Sequence, residues 1–256
     1  MTARRDDPWF DGKTAVVTGG AHGIGRSTAE LLAELGAAVI AVDVDGDALQ
    51  TVFSGHSVTP FVADVASESE SLAETLVSEF GPIDLLVNNV GIDTPHHFLE
   101  LGELDWDRVF RVNVRGPWFL THGIAKRMVK EGRSGSIVFV SSLHDSFIRT
   151  LPHYSASKAA VAMLVKELAN ELGPHGVRVN AVSPGVIHTA RVPLPVDEQE
   201  QSRLRSLIPL GAMGEPLQVA RMIAVLLNDQ WSEYVTGANI PVDGGLGLHS
   251  WSVDRS

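Results

Sequence analysis

Apolar positions along the chain follow two rhythms that take turns. Short unbroken runs, rich in valine, isoleucine and leucine, alternate with longer stretches in which apolar residues recur every three or four positions. The unbroken runs predict strands covered on both faces, as in a parallel sheet. The spaced positions predict helices that pack on that sheet. The first unit spans 14–36: Ala15-Val16-Val17, the turn Thr18-Gly19-Gly20-Ala21-His22-Gly23-Ile24-Gly25, then a helix with Ala29, Leu31, Leu32 and Leu35 that Gly36 stops. A second strand, 37–42, ends at Asp43, and a third, 58–62, runs to Asp64-Val65. Ser67 ahead of Glu68 and Glu70 predicts a helix start, with Gly81-Pro82 as the break after about Phe80. A fourth strand, 83–87, leads into Asn88-Asn89-Val90-Gly91.

The stretch 101–131 predicts one long helix with Trp106, Val109, Phe110, Val114, Trp118 and Leu120 on apolar positions, kinked at Gly116-Pro117 because proline removes a helical hydrogen bond. A fifth strand, 135–142, ends in Ser141-Ser142, and a helix opens at Tyr154 and continues to Leu172. Strand 176–182, helix 215–227 and strand 239–242 complete the series. Between them, 188–214 is polar and proline-interrupted, helical over 197–207, and is expected to be a substrate lid. Strand and helix in alternation predict an α/β doubly wound parallel sheet of about seven strands. It is expected as one domain over 11–256 behind a disordered leader, 1–10.

Composition narrows the function classes. With 44% hydrophobic and 20% charged residues in 256, the chain has enough apolar material for a substantial core. It has no cysteine, which removes disulfides, thiolate metal sites and cysteine nucleophiles. A net charge of −11 argues against nucleic acid or an anionic membrane as partner. No apolar run reaches the ~18 residues of a membrane span, and Arg4-Arg5 is not followed by the apolar region of a signal peptide. A cytoplasmic location is expected. No metal site is expected either. The run Asp43-Val44-Asp45-Gly46-Asp47 has Ser54 where a calcium loop needs glutamate, and His96-His97 has no complete ligand set.

Candidate chemistry begins at the glycine turn. Glycines allow a tight turn and close backbone approach, and the helix that follows presents free N–H groups to a phosphate. Asp43, about 20 residues on, is placed to accept from an adenosine ribose hydroxyl and to repel a 2′-phosphate, which favours NAD over NADP. Asn88-Asn89 at a strand's carboxyl end serves ligand binding or ties strand to loop. Asn113, just ahead of the kink, is a functional side chain or part of the break. Tyr154 and Lys158, one helical turn apart, share a face.

Taken together, Thr18-Gly19-x-x-x-Gly23-x-Gly25, Asn88-Asn89-x-Gly91, Asn113, Ser142, Tyr154-x-x-x-Lys158 and Pro184-Gly185 resemble the short-chain dehydrogenase/reductase family over roughly 10–245. Two features depart from its pattern: Val90 replaces an alanine, and the 12 positions from Ser142 to Tyr154 are one fewer than usual. The resemblance implies a Rossmann-type fold and an NAD(H)-dependent enzyme that interconverts a secondary alcohol (sugar, polyol, hydroxysteroid or similar) and its ketone. Reduction of a 3-oxoacyl thioester and a non-catalytic NAD-binding role are its alternatives. It implies Tyr154 as acid/base, Lys158 as the charge that favours the phenolate and as a ligand of the nicotinamide ribose, Ser142 as donor to the substrate oxygen, and Asn113 as holder of a relay water. On the cofactor it implies Gly19, His22, Gly23, Ile24, Gly25 and Gly91 along the backbone, Asp64 and Val65 at the adenine, Asn88 at the adenosine ribose, and Pro184, Gly185, Ile187 and Thr189 at the nicotinamide half. A homotetramer joined through the Asn113 and Tyr154 helices is expected by the same resemblance. His144, His153 and the lid arginines Arg191, Arg203 and Arg205 meet a polar substrate or lie solvated.

Overall fold

The unbroken apolar runs become the strands of a single parallel sheet in a computed structural model that describes residues 9–55, 57–148, 150–190, 192 and 197–248. In chain order the elements are β1 (Thr14–Thr18), α1 (Gly23–Glu34), β2 (Ala38–Asp43), α2 (Gly46–Phe53), β3 (Val58–Val62) and α3 (Val65–Phe80). Next come β4 (Leu85–Asn88), α4 (Glu103–Phe110), a π turn (Arg111–Arg115), α5 (Gly116–Lys130), β5 (Gly135–Val140) and α6 (Pro152–Leu172). Last are β6 (Val177–Pro184), α7 (Glu198–Leu207), α8 (Pro216–Leu227) and β7 (Asn239–Val242). The spatial order is β3-β2-β1-β4-β5-β6-β7, with every pair parallel. Both faces are covered, which is why the strands read as runs rather than alternations. Val17, Val39, Val87, Val138 and Val182 face Leu32 of α1 and Ile223 and Leu227 of α8. Their neighbours Val16, Ile40, Leu86, Ile137 and Ala181 face Leu76 of α3, Leu120 and Ile124 of α5, and Val165 of α6.

Four local features differ from expectation. Helix α2 was not foreseen: Asp45 caps it, accepting from Ala48 N–H at 3.0 Å. Helix α3 begins at the Asp64 cap rather than at Ser67, because Asp64 Oδ1 accepts from Ala66 N–H at 2.8 Å while Glu68 Oε1 accepts from Asp64 N–H at 3.0 Å. The two bonds satisfy donors at the helix start reciprocally. The break in the long helix falls at the π turn, upstream of the proline; Pro117 sits in the first turn of α5, where a missing N–H does no harm. Two residues placed in the expected leader are packed on the fold: Phe10 is buried and Trp9 stacks on Trp231 at 5.9 Å. Residues 1–8, Arg191, Pro193 and Pro195 lie outside the described residues. Among the described residues no helix is long and apolar enough to cross a membrane.

Helix α5 crosses α3 at Gly123, where a Cβ would collide with the Cβ of Ala73. The crossing holds the helix that leads out of the π turn. Gly123→Val is expected to cost about 1–3 kcal/mol by overpacking, read as a lower urea midpoint with unchanged slope.

Candidate active site

The carboxyl ends of β1 and β4 are stitched together, and the glycine turn is built on the stitch. Thr18 Oγ1 donates to Val87 O at 3.2 Å and accepts from Asn89 N–H at 3.0 Å. Asn89 Nδ2 donates to Thr18 O at 3.0 Å and Gly19 O at 3.1 Å. Gly19 takes a left-handed φ of 65°, and a Cβ there would stand 2.7 Å from Asn89 Nδ2. A Cβ on Gly25 would collide with the carbonyl oxygen of Gly19. The result is a bare backbone cradle at the start of α1, a helix with no side-chain cap and no acidic residue in its first turn. Its leading N–H groups are left for an anion. Across the cradle, a Cβ on Gly23 would lie 3.2 Å from Thr189 Cγ2, so the lid's first residues face the turn. These residues fit a dinucleotide pyrophosphate, with Gly19, His22, Gly23, Ile24 and Gly25 on one side and Thr189 on the other.

At the adenosine end, Asp43 is held in place through both oxygens. Oδ2 accepts from Ala21 N–H at 3.0 Å and Oδ1 from Asp45 N–H at 3.1 Å. His22 Nε2 meets Asp45 Oδ2 at 3.0 Å, closing the rim. That bond is the main reason the Asp45 carboxyl titrates below its ordinary range. Two of the expected ligands have structural partners. Asn88 is buried, and its Nδ2 donates to Thr121 Oγ1 on α5 at 2.8 Å, so its side chain ties sheet to helix instead of facing a ribose. Asp64 has both oxygens engaged, by Ala66 N–H and by Ser67 Oγ at 2.9 Å. Beside it, Val65 is buried.

The reaction end gathers on α6, β5 and the π turn. Ser142 follows β5, is nearly buried, and accepts from His144 N–H at 3.2 Å; its own hydroxyl proton has no acceptor among the described residues. Ser141, by contrast, is engaged inward: Oγ lies 3.1 Å from Asp145 Oδ2 and 3.3 Å from Lys158 O. Tyr154 is half-buried, with Lys158 Nζ 5.7 Å from its ring centroid. Lys158 is 4% exposed and donates to Val140 O at 2.9 Å. Burial drops its pKa to about 8, against the pull of Asp145 and Asp93. A Cβ on Gly91 would come within 3.1 Å of Nζ and 3.6 Å of Asn113 Oδ1, so glycine is what lets this loop pass between them. Asn113 clamps that loop in both directions, accepting from Ile92 N–H at 2.8 Å and donating to Ile92 O at 2.9 Å; Nδ2 also donates to Ser157 Oγ at 3.0 Å. Its amide therefore positions the loop.

Pro184 ends β6, and Gly185 presses against β7's exit, where a Cβ would stand 2.8 Å from Asp243 Cα. Ile187 is buried and bridges to Gly214. His153 is fully buried with Nε2 2.9 Å from Thr94 Oγ1, and burial lowers its pKa, so it is a neutral core group rather than a substrate contact. His144 lies edge-on to the Tyr154 ring at 6.4 Å. Arg205 donates to Gln201. His96 pairs with Asp105 and His97 with Thr150 O, so the two rings part. Among the described residues no three His, Cys, Asp or Glu side chains gather as metal ligands. Sequence reasoning missed Asp145, whose Oδ2 takes Ser183 Oγ and Asn239 Nδ2, each at 2.7 Å, besides Ser141. Its partners come from β6 and β7, and so distant a set leaves no local signature.

Comparison with known proteins agrees with this geometry. A family model described as enoyl-(acyl carrier protein) reductase matches residues 19–247. The 3-oxoacyl-[acyl-carrier-protein] reductase of Thermotoga maritima is 38% identical over 245 residues, covering 93% of this chain and 98% of that protein. The L-rhamnose 1-dehydrogenase (NAD(P)(+)) of Azotobacter vinelandii is 36% identical, covering 91% and 96%. Among solved structures, a putative 2-deoxy-d-gluconate 3-dehydrogenase from Agrobacterium tumefaciens with bound NADP superposes with a TM-score of 0.86 at 32% identity, covering 95% and 100%.

The buried lysine has a consequence for stability. Below pH 8 both folded and unfolded chains carry the ammonium, and the fold bears its desolvation. From about 8 up to the ordinary value of 10.5 only the unfolded chain keeps the proton, so this group favours the fold more as pH rises. Urea titrations at pH 7.5 and 9.5 should show the ligand-free wild type gaining stability relative to Lys158→Met, by on the order of 2 kcal/mol.

Proposed function

This chain belongs to the short-chain dehydrogenase/reductase family, whose members here are oxidoreductases acting on CH–OH groups, and we propose that it interconverts a secondary alcohol and its ketone with NAD(H). The observation that carries the reading is the placement of Lys158 Nζ, which donates to Val140 O two residues before Ser142, lies 5.7 Å from the Tyr154 ring centroid and sits against the Gly91 loop. The nicotinamide group supplies a hydride acceptor for alcohol oxidation and a hydride donor for the reverse. The chain's own residues manage the oxygen. Ser142 donates its free hydroxyl proton to the substrate oxygen and steadies the charge that develops there. Tyr154, as phenolate, takes the hydroxyl proton during oxidation; as phenol, it returns it during reduction. Lys158 favours the phenolate because a nearby ammonium lowers a phenol's pKa. Since the Asn113 amide is committed to Ile92 and Ser157, a relay water would be held by its backbone carbonyl in the π turn.

For the cofactor, the reading favours NAD. A 2′-phosphate would meet the fixed carboxylate of Asp43 and, next to it, that of Asp45, which His22 holds at 3.0 Å. The relatives span both cofactors: one is described as NAD(P)(+)-dependent and one neighbour has NADP bound. We further propose a small-molecule substrate, a cytoplasmic setting and a tetramer that joins copies through α4, α5 and α6. The last is supported by an apolar groove of about 460 Å³ lined by Phe110, Val114, Trp118 and Leu164.

Tyr154→Phe is expected to lower turnover by at least about a thousandfold while NADH still binds, as read by quenching of tryptophan fluorescence; wild-type turnover in this variant rejects the mechanism. In steady-state kinetics NAD is expected to exceed NADP at least about tenfold in kcat/KM, with Asp43→Ser narrowing the gap. A preference for NADP in the wild type would overturn the Asp43 argument.

A further inference from the structure

The mouth of this site is apolar, and its composition bears on what enters. Four loops leave the carboxyl edge at the neighbouring strands β4, β5, β6 and β7, and each exposes large apolar side chains. Phe98 and Leu99, 75% and 92% exposed, follow β4; Phe147 and Ile148, 41% and 92% exposed, follow β5. The last two lie between Ser142 and Tyr154 in the chain. His97 Nδ1 meets Thr150 O at 3.0 Å and ties these two loops into one rim. Thr150 is the only non-glycine residue with positive φ, 62°, among the described residues. Strained backbone of this kind is common where a loop is shaped for a ligand.

The opposite rim is formed by Leu210 and Leu248, 82% and 80% exposed. Leu210 N–H donates to Gly244 O at 3.1 Å, and a Cβ on Gly247 would lie 3.2 Å from the side chain of Leu143, the residue after Ser142. Both rims therefore border the reacting pair. Scattered exposed leucines need no explanation, but six large apolar side chains around one cleft do.

Charge points the same way. From Asn89 to Asp107 the chain has no lysine or arginine and carries Asp93, Glu100, Glu103, Asp105 and Asp107. The ring of His96 is held by Asp105. On the lid, Arg205 is bonded to Gln201, and Asp243 across the cleft is bonded to Gly245 and Gly247 N–H. The β4 side of the first rim offers no lysine or arginine to a phosphate, a sugar acid or a polyanionic carrier, and Arg149 on its β5 side lies outside the described residues.

From these observations, and resting on the reading of the site as an alcohol dehydrogenase, we infer that the substrate is an uncharged secondary alcohol or ketone with an apolar body, an alkyl chain or a ring. The carbinol meets Ser142 and Tyr154 while the body lies against Phe98, Leu99, Phe147 and Ile148.

The test is NAD reduction by 2-butanol through 2-octanol and cyclohexanol, beside rhamnose, gluconate and 3-hydroxybutyryl-CoA. The expected result is a kcat/KM that rises about threefold to fourfold per added methylene, as burial of each CH₂ requires. Ile148→Ser and Phe98→Ser should flatten that rise with KM for NAD unchanged. Tyr234→Ser, a fully exposed residue on the loop entering β7 at the other edge of the sheet, should keep it. Circular dichroism melts confirm folding of each variant. Oxidation of the sugar or thioester substrates alone overturns this inference and leaves the dehydrogenase reading standing. A chain-length rise untouched by both variants, with dissociation of the oligomer on a sizing column, also overturns it, since the apolar face would then be an interface between copies. Absence of NADH formation from every compound removes the dehydrogenase reading and this inference with it.

Discussion

The hydrogen-bonded joint between β1 and β4 is the constraint on which the other features depend. Strand order reverses there, with β2 and β3 on one side and β5 to β7 on the other. Connections leave the sheet in opposite directions at such a point and open a crevice above the strand ends. Thr18 and Asn89 close the floor of that crevice with four bonds, two to backbone carbonyls on Asn89's side alone. Because Asn89 lies directly under the turn, positions 19 and 25 have no space for a Cβ. The glycines are thus a packing requirement of the joint as well as a means of approaching a phosphate. One arrangement meets both needs, which is why a backbone cradle and a rigid sheet edge occur together.

The chemistry imposes a second constraint, the burial of a positive charge. Lys158 is 4% exposed, shut away from water between α6 and the end of β5. An isolated ammonium there would lose its proton, since desolvation disfavours the charged form. Three groups oppose that loss: the Val140 carbonyl accepts directly from Nζ, and the carboxylates of Asp145 and Asp93 act through space. Their balance leaves the amine titrating near 8, close enough to neutrality to act on Tyr154 as a cation. Asp145 has a structural part as well, since the same oxygen gathers Ser141, Ser183 and Asn239 from the ends of three strands. Asp145 thus links the network at the strand ends to the charge of the lysine.

The parallel sheet, its strand positions and the shared face of Tyr154 and Lys158 were legible because each has a local sequence cause. An unbroken valine-rich run makes a doubly covered strand, and Tyr154 and Lys158 need only helical spacing to share a face. What escaped depended on distant partners. Asn88 and Asn89 look alike in sequence. Consecutive strand residues point to opposite faces, so one amide reaches Thr121 on α5 and the other Thr18 and Gly19. The site thus relies on the residue whose role was left undivided. The resemblance puts Asp64 at the adenine, and its cap on α3, through Ala66 N–H and Ser67 Oγ, is a second role that the resemblance does not announce. The helix break was assigned to Pro117, whereas the π turn at Asn113 creates it by inserting a residue that turns the amide toward Ile92. Helix α2 is short, and its acidic start resembles an ion-binding loop more than a capped helix.

Specificity and reactivity are placed on different parts of the molecule. Ser142, Tyr154, Lys158 and Asn113 sit on strand ends and helices that the sheet fixes, and their geometry varies only if the core does. Phe98, Leu99, Ile148 and Leu210 sit on loops and are largely exposed, with His97 to Thr150 O joining two of these loops and Leu210 N–H to Gly244 O holding a third. Loop residues exchange at small cost to stability, while core residues do not. Relatives with 36–38% identity across nearly the whole chain accordingly include a thioester ketone reductase and a sugar dehydrogenase. Identity at that level reports the scaffold and its hydride chemistry. The polarity of the four loops around Ser142 is the feature by which one substrate class can be told from another.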